Sequence, residues 1–490
     1  MYNRLSSSIL LRKGVFSIMA YQSIYPYTGE LKKTYENQSD QYVEDKLQKA
    51  DALYHEWRNQ PLDGRAKILH AVADNLMKHQ DELAKAMVQD MGKPYGEAKA
   101  EVALSAMIAN WYADNAKDLL RPQRVYTIMG DAHYEYHSAG VIMAVEPWNF
   151  PYYQVMRVFA PNFMLGNPVL FKQASSVPTT ATLLEKYTLE AGAPEGSLVN
   201  LFVTYDQIEK IIADPRVSGV ALTGSERAGQ KIAAEAGKYL KKSTMELGGS
   251  DPFIVLDDAD LDDIKKILYM ARLFNAGQEC TSAKRFIVTA KNYDRFLEML
   301  KEEFAKAKMG DPMDPKTTLA PLSSKSAADD LHQQVKDAIA HGATLAYGDL
   351  DAPTPTPNGF WMPAVILTDV TRDNPAYYQE FFGPVGVVYK VTDEQEAIKL
   401  ANDSHYGLGG QVFAGHSKHA AEVASKIETG AVYCNNFRGS IPELQFGGVK
   451  NSGYGRELGR AGTLAFANEQ MIMRNPYDKI DLNHTIGGFV

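Results

Sequence analysis

A chain of 490 residues holds about three folding units at roughly 150 residues each, which excludes a single small binding module. Lys and Arg number 51 against 60 Asp and Glu, a formal charge of −9, so the balance draws the surface to neither nucleic acid nor anionic lipid. Hydrophobic residues at 45% and charged residues at 23% are globular values, and no apolar run approaches the roughly 18 residues of a membrane span.

Residues 1–19 carry Arg4, Arg12 and Lys13, a serine run from Ser6 to Ser8 and no acid, a composition similar to a transit peptide. The globular pattern starts just after Met19, at Tyr21, which favours an upstream extension with Met19 as the working start. From Tyr42 to about Leu120, apolar residues such as Ile68, Leu69, Val72, Leu76, Leu83 and Met87 recur at three- and four-residue steps and predict helix, punctuated at Gly92-Lys93-Pro94. Tyr134–Val145 alternates and then turns apolar, predicting one long strand or a hairpin that leads into Glu146-Pro147-Trp148-Asn149-Phe150-Pro151. Beyond this, short apolar runs at Val169–Phe171, Leu198–Val203, Val217–Leu222, Phe253–Leu256, Phe286–Val288 and Val385–Val391 alternate with helical stretches. That alternation predicts an α/β protein with largely parallel sheets.

Two cysteines, Cys280 and Cys434, stand apart with no CxxC and no Cys/His cluster, which excludes a disulfide framework and a zinc site and fits a reducing, cytoplasmic setting. Cys434 reads as a buried strand residue. Cys280 lies among small and polar neighbours in Asn275-Ala276-Gly277-Gln278-Glu279-Cys280-Thr281-Ser282, which reads either as a loop presenting the sulfur or as plain packing. Glu246, between Met245 and Leu247-Gly248-Gly249, is either a buried general base or a surface carboxylate at a strand end. Asn149, flanked by prolines, could aim an amide at an oxyanion or close an Asx turn. Thr223-Gly224-Ser225 follows an apolar strand and opens a helical run, a place where backbone N–H groups suit a phosphate, although the GxGxxG spacing is missing. Gly453-Tyr454-Gly455-Arg456-Glu457-Leu458-Gly459 comes closer to that motif in text, but its spacing is wrong and it sits too late. Arg157, in a largely apolar helical run beyond Asn149, needs an anion, either an internal acid or a carboxylate on a ligand.

Glu146 to Pro151, Met245 to Gly249, Gln278-Glu279-Cys280 and Glu380-Phe381-Phe382-Gly383-Pro384 follow one another in an order and spacing that resemble the aldehyde dehydrogenase superfamily, over about residues 20–475. The resemblance implies a Cys280 thiolate that attacks an aldehyde, an oxyanion held by the Asn149 amide and the Cys280 N–H, and a thioester hydrolysed by water that Glu246 activates. Acyl transfer to coenzyme A is not implied, because members that perform it typically lack this glutamate. It further implies that Lys172 and Glu380 bind the two ribose hydroxyl sets, that Trp148 and Phe382 border the cofactor, and that Gly224 and Ser225 meet the pyrophosphate. Many NAD-preferring members place a glutamate where this chain has Ser175; a serine beside Lys172 tolerates a 2′-phosphate, so NADP is expected over NAD, with Tyr205 beside the adenine.

Arg157 at its place in the Trp-Asn-Phe-Pro helix resembles the succinate-semialdehyde dehydrogenase branch, with Arg438 and Ser440 as further anion contacts. An arginine that some members of that branch place six residues before the nucleophile is Phe274 here, and Ser282 leaves no redox partner for Cys280. The expected plan is a Rossmann-type cofactor domain over 20–123 and 143–246, a catalytic α/β domain over 247–440, and a β oligomerisation arm from 124–142 and 465–490. A homodimer or homotetramer acting on a carboxylated aldehyde is implied, without metal, nucleic acid or membrane. The alternatives are a broad aliphatic aldehyde dehydrogenase and a catalytically idle binding relative.

Overall fold

The structure, a computed structural model, describes residues 21–127, 130–437 and 439–474; the expected extension over 1–19 and the end of the arm past 474 lie outside the described residues. The predicted helical region resolves into Asp40–Trp57, Leu62–Lys78, Gln80–Met91 and Tyr95–Leu119, with Gly92 as a left-handed cap at the punctuation point.

Two sheets carry the rest. The first has the order Gly453–Tyr454, Lys242–Glu246, Val217–Thr223, Val141–Glu146, Val169–Gln173, Leu198–Asn200, five parallel strands closed at one edge by a short antiparallel one. Its inner strands are apolar on both faces, as helices on both sides demand. The second has the order Thr344–Tyr347, Val365–Thr368, Val385–Val391, Ala283–Thr289, Asp251–Val255, Gly409–Phe413, Ala431–Cys434, parallel except at its first edge. Gln123–Thr127, Gly130–Ser138 and Ala467–Arg474 make a separate antiparallel sheet.

Two expectations change. Tyr134–Val145 is not one strand or a hairpin: Gly130–Ser138 belongs to the three-stranded sheet and Val141–Glu146 to the centre of the first. The break falls at Gly140, whose φ of +140° is open to glycine, and the Ala139 and Gly140 N–H groups are taken up by Asn167 Oδ1. Cys434 is not buried: it lies on the edge strand of the second sheet and is half-buried, because an edge strand has cover on one side only.

Among the described residues, no helix is long and apolar enough to cross a membrane.

Candidate active site

The C-terminal ends of the first sheet's parallel strands set the site. Glu146 ends one strand, Thr223 the next and Glu246 the third, with Thr223 and Glu246 in register. Loops leave the sheet there, and open α/β sheets place their ligands at that end. After Glu146 the chain turns through Trp148 and Asn149 into the helix Pro151–Leu165, whose first position is the φ-restricted Pro151. Every residue of this helix is buried, so its entry, and with it Asn149, is rigidly held.

Asn149 Oδ1 accepts from Gln154 Nε2 at 3.0 Å, which orients the amide, and Nδ2 donates to the Gln278 carbonyl at 3.0 Å, two residues before Cys280. This amide has a tertiary job rather than an Asx turn, and its second N–H remains for a ligand. The nucleophile loop follows the helix Leu261–Leu273 through three consecutive residues with left-handed φ, Asn275 at 51°, Ala276 at 53° and Gly277 at 73°. Gly249 packs against that loop so closely that a Cβ would stand 2.6 Å from the Cys280 carbonyl oxygen. This is the close backbone approach that the paired glycines after Glu246 allow.

Cys280 lines a cavity of about 240 Å³ together with Phe150, Tyr153, Gln154, Arg157, Phe274 and Ser440. Burial pushes its thiol up to about 12, partly offset by the charges of Lys284 and Arg157 and reinforced by Glu279 and Glu380. Burial thus favours the neutral thiol, and the charges of Lys284 and Arg157 favour the thiolate that would attack. Glu246 is 1% exposed, with neither carboxylate oxygen hydrogen-bonded. Its pKa is raised well above the usual carboxylate range, by burial first and then by Glu457, with Arg157 acting in the opposite sense. Its Oε1 abuts Gly447 of the cavity wall, where a Cβ would lie 2.5 Å away. A carboxylate with no fixed partner is free to take and release a proton.

Arg157 is 2% exposed and its anion is internal: Nε pairs with Glu457, Nη2 donates to Thr223 Oγ1 at 3.0 Å, and Nη1 to the Tyr153 hydroxyl at 3.4 Å. The internal acid left open by the sequence is thus present, and a ligand carboxylate would meet a guanidinium already compensated. Ser440 lies against the Tyr153 hydroxyl on the same cavity. Phe274 stacks on Phe150 with centroids 6.2 Å apart, an apolar wall where an arginine was absent from the sequence. Arg438 lies outside the described residues.

On the other side of Cys280, Glu380 Oε1 accepts the Gly249 N–H at 3.1 Å and pairs with Lys284 at 3.2 Å, and Trp148 meets Phe382 edge-on at 5.7 Å. Lys172 is 5% exposed, and no carboxylate is paired with it among the described residues. Burial lowers its pKa to about 8, and its Nζ lies 5.6 Å from the Tyr205 ring, with Lys231 over the same ring at 5.2 Å. Ser175 stands in the turn directly after the Lys172 strand. A buried amine without a counter-ion, beside a serine and a half-exposed ring, fits an anionic nucleotide. Ser225 caps the helix Glu226–Lys238, its hydroxyl accepting from Ala228 N at 3.3 Å, so it would meet a phosphate through backbone N–H groups rather than its hydroxyl.

Three participants escaped the sequence reading. Glu457 sits in the glycine segment set aside for failing the dinucleotide spacing; that segment pairs as an edge strand with Glu246, Gly453 opposite Glu246 itself. Glu146, read only as part of a motif, is a second buried carboxylate without a hydrogen-bond partner. Lys93, read as punctuation, donates to the Asn149 carbonyl at 2.8 Å.

A half-buried thiol, an amide aimed at its loop and an unpartnered carboxylate, set beside the strand ends of a dinucleotide-type sheet, are an arrangement that suits covalent chemistry at the sulfur. Residues 17–472 match the aldehyde dehydrogenase family. A succinate-semialdehyde dehydrogenase [NADP(+)] of Deinococcus radiodurans is 45% identical over 93% of this chain and 95% of its own length, and one of Mycobacterium avium is 41% identical over 93% and 96%. The crystal structure of succinic semialdehyde dehydrogenase from Streptococcus pyogenes, in complex with NADP+, superposes with a TM-score of 0.91 at 54% identity, covering 93% of this chain and all of that one. The chain belongs to the aldehyde dehydrogenase family and is an NAD(P)-dependent aldehyde dehydrogenase.

Proposed function

We propose that this enzyme oxidises succinate semialdehyde to succinate, with NADP favoured over NAD. The observation that carries the reading is one cavity that holds Cys280 together with Tyr153, Ser440 and Arg157. The aldehyde end fits at the sulfur and a terminal carboxylate at the two hydroxyls, with the guanidinium behind them and Arg438 adjacent in sequence. The names of the relatives in Deinococcus radiodurans and Streptococcus pyogenes support the same substrate and cofactor.

In this scheme Cys280 passes its proton to solvent water as the sulfur bonds to the aldehyde carbon, and the Asn149 amide and the Cys280 N–H meet the oxyanion. The nicotinamide, when bound, accepts hydride from that carbon, leaving a thioester on Cys280. Water loses a proton to Glu246 and attacks the thioester carbonyl; the C–S bond breaks, the acid leaves, and the sulfur is reprotonated. Arg157 and Lys284 favour the anionic sulfur at both ends of the cycle.

For the cofactor, Lys172, Ser175 and Tyr205 hold the adenosine end, Gly224 and Ser225 the pyrophosphate, and Glu380, Trp148 and Phe382 the nicotinamide end. The uncompensated Lys172 amine supports a 2′-phosphate. The antiparallel sheet of Gln123–Thr127, Gly130–Ser138 and Ala467–Arg474 offers exposed edge strands through which a homodimer or homotetramer would pair. Free Cys280 and Cys434 fit a cytoplasmic location.

The Phe150–Phe274 wall also suits a neutral aliphatic aldehyde, which makes broad specificity the competing reading. A panel of four-carbon aldehydes differing only at the far end, run with NADP and with NAD, tests both. Succinate semialdehyde should exceed butanal in kcat/KM by about 100-fold or more, the value of a well-held carboxylate at about 1.4 kcal/mol per tenfold. Equal values would sink the carboxylate reading.

A further inference from the structure

The charged groups at the start of the helix Tyr95–Leu119, Lys93 and Glu101 buried and Glu97 half-buried on the cavity wall, have no part in the scheme above. Glu97 and Glu101, four residues apart, share one face of this helix, and Lys93 sits just before its cap, Pro94. That face lies between the two halves of the acylation site. On one half, Lys93 Nζ donates to the Asn149 carbonyl at 2.8 Å, pairs with Glu101 and lies 3.7 Å from the Phe150 ring centroid. Glu101 Oε1 then accepts the N–H groups of Tyr152 at 2.9 Å and Tyr153 at 3.2 Å, satisfying first-turn donors of the helix that Asn149 precedes. On the other half, Glu97 Oε2 accepts the Asn275 N–H at 2.8 Å, at the first of the three left-handed residues leading to Cys280. Asn275 Nδ2 closes the loop by donating to the same Asn149 carbonyl at 3.0 Å.

From this geometry we propose that Lys93 and Glu97 are positioning residues for acylation: they hold the oxyanion amide of Asn149 and the turn that presents Cys280 in one fixed relation, Lys93 from behind the cavity and Glu97 from its wall. Left-handed backbone at Asn275 and Ala276 is disfavoured for residues with a Cβ and persists only where its surroundings hold it. The Asn275 N–H to Glu97 and the Asn275 amide to Asn149 are such holds. A displacement of about 1 Å between nucleophile and oxyanion donor is enough to slow chemistry by roughly 100-fold.

Glu97 also makes the arrangement sensitive to pH. Burial raises its pKa to about 7, with Lys93 acting to lower it and Glu279, across the turn, to raise it; the Tyr269 hydroxyl of the helix Leu261–Leu273 also faces it, and Glu101 shares its helix. An ionised carboxylate accepts the Asn275 N–H more strongly than a neutral one. The turn is thus held more tightly as pH rises through about 7.

The inference rests on Cys280 as nucleophile, but not on the identity of the aldehyde. The test therefore uses the full chain and whichever aldehyde of the panel gives the highest kcat/KM, and it follows single-turnover formation of reduced cofactor. Lys93→Met should slow that step by about 10-fold or more, while the KM for the nicotinamide stays within about twofold, since a misplaced amide affects chemistry and not cofactor binding. Glu97→Gln fixes the neutral state. The ratio of wild-type to Glu97→Gln single-turnover rates, in which thiol ionisation cancels, should climb between pH 6 and pH 8 and level off above. A ratio flat across that range, or a Lys93→Met rate within twofold of wild type, overturns the proposal. Should Lys93→Met not fold, the Glu97→Gln ratio decides alone. Absence of single-turnover product from wild type with every aldehyde would instead mark failure of the nucleophile assignment.

Discussion

Glu246 and Glu380 are two carboxylates of the candidate site, and their surroundings differ in kind. Glu380 is tied down by the Gly249 N–H and the Lys284 ammonium, so its charge has fixed partners. Glu246 has none: both oxygens are buried and unbonded, with Glu146 in the same state across the neighbouring strand. The difference separates two jobs. A carboxylate with fixed partners suits holding a hydroxyl group in place, whereas one that is to pick up and release a proton needs an environment in which both forms are accessible.

Removing the proton acceptor should produce the largest effect. Glu246→Gln should lower steady-state kcat by about 100-fold to 10,000-fold, the usual span for a lost general base, while the first turnover of reduced cofactor persists as a burst. Stopped-flow absorbance checks this, and loss of the burst along with kcat would mean that Glu246 serves acylation instead. The sign with pH follows from the raised Glu246 pKa: the base form grows as pH rises, so wild-type turnover should increase toward alkaline pH and the substituted enzyme should lose that dependence.

A smaller effect comes from giving the cofactor side a fixed carboxylate of its own. Ser175→Glu would place an anion beside the unpaired Lys172 amine, repelling a 2′-phosphate and accepting a 2′-hydroxyl. The kcat/KM ratio of NADP to NAD should fall by about 10-fold to 100-fold, at about 1.4 kcal/mol per tenfold, and an unchanged ratio would remove the argument from Lys172 and Ser175.

The smallest effect isolates the cost of keeping carboxylates unbonded. Burial, then the Glu457 charge, raises the Glu146 pKa well above its ordinary value. The folded state therefore binds this proton more tightly than the unfolded chain does, and its contribution is complete at acid pH and lost as pH rises above about 4.5 toward the folded value. Glu146→Gln, neutral at every pH, should raise Tm by about 1–3 °C at pH 8 and by less at pH 5. Calorimetry at the two pH values checks the sign, and a Tm lowered equally at both would show that Glu146 is held by contacts rather than left ionisable.

Much of this was legible in the chain. Runs such as Val217–Leu222 and Val385–Val391 became strands of parallel sheets, because a strand buried on both faces has no alternative to a continuous apolar run. Cys280 among small and polar residues, Glu246 between apolar ones and Asn149 between prolines each left two readings open, and their place in four ordered motifs made them candidates. Glu457 was not legible: it is remote in sequence from Arg157, and only the antiparallel pairing of Gly453–Tyr454 with the Glu246 strand brings it in. The break at Gly140 was missed because alternation continues through it while the sheet does not.

The sequence by itself determined the family and the class of reaction, through four short motifs in one order, and singled out Cys280, Glu246 and Asn149 as candidates, since each of those signals is carried by a few adjacent residues. Tertiary structure alone decided the surroundings of the thiol, the pairing of Arg157 with Glu457 and the unbonded state of Glu246, because desolvation and charge partnering depend on which distant segments fold over a group.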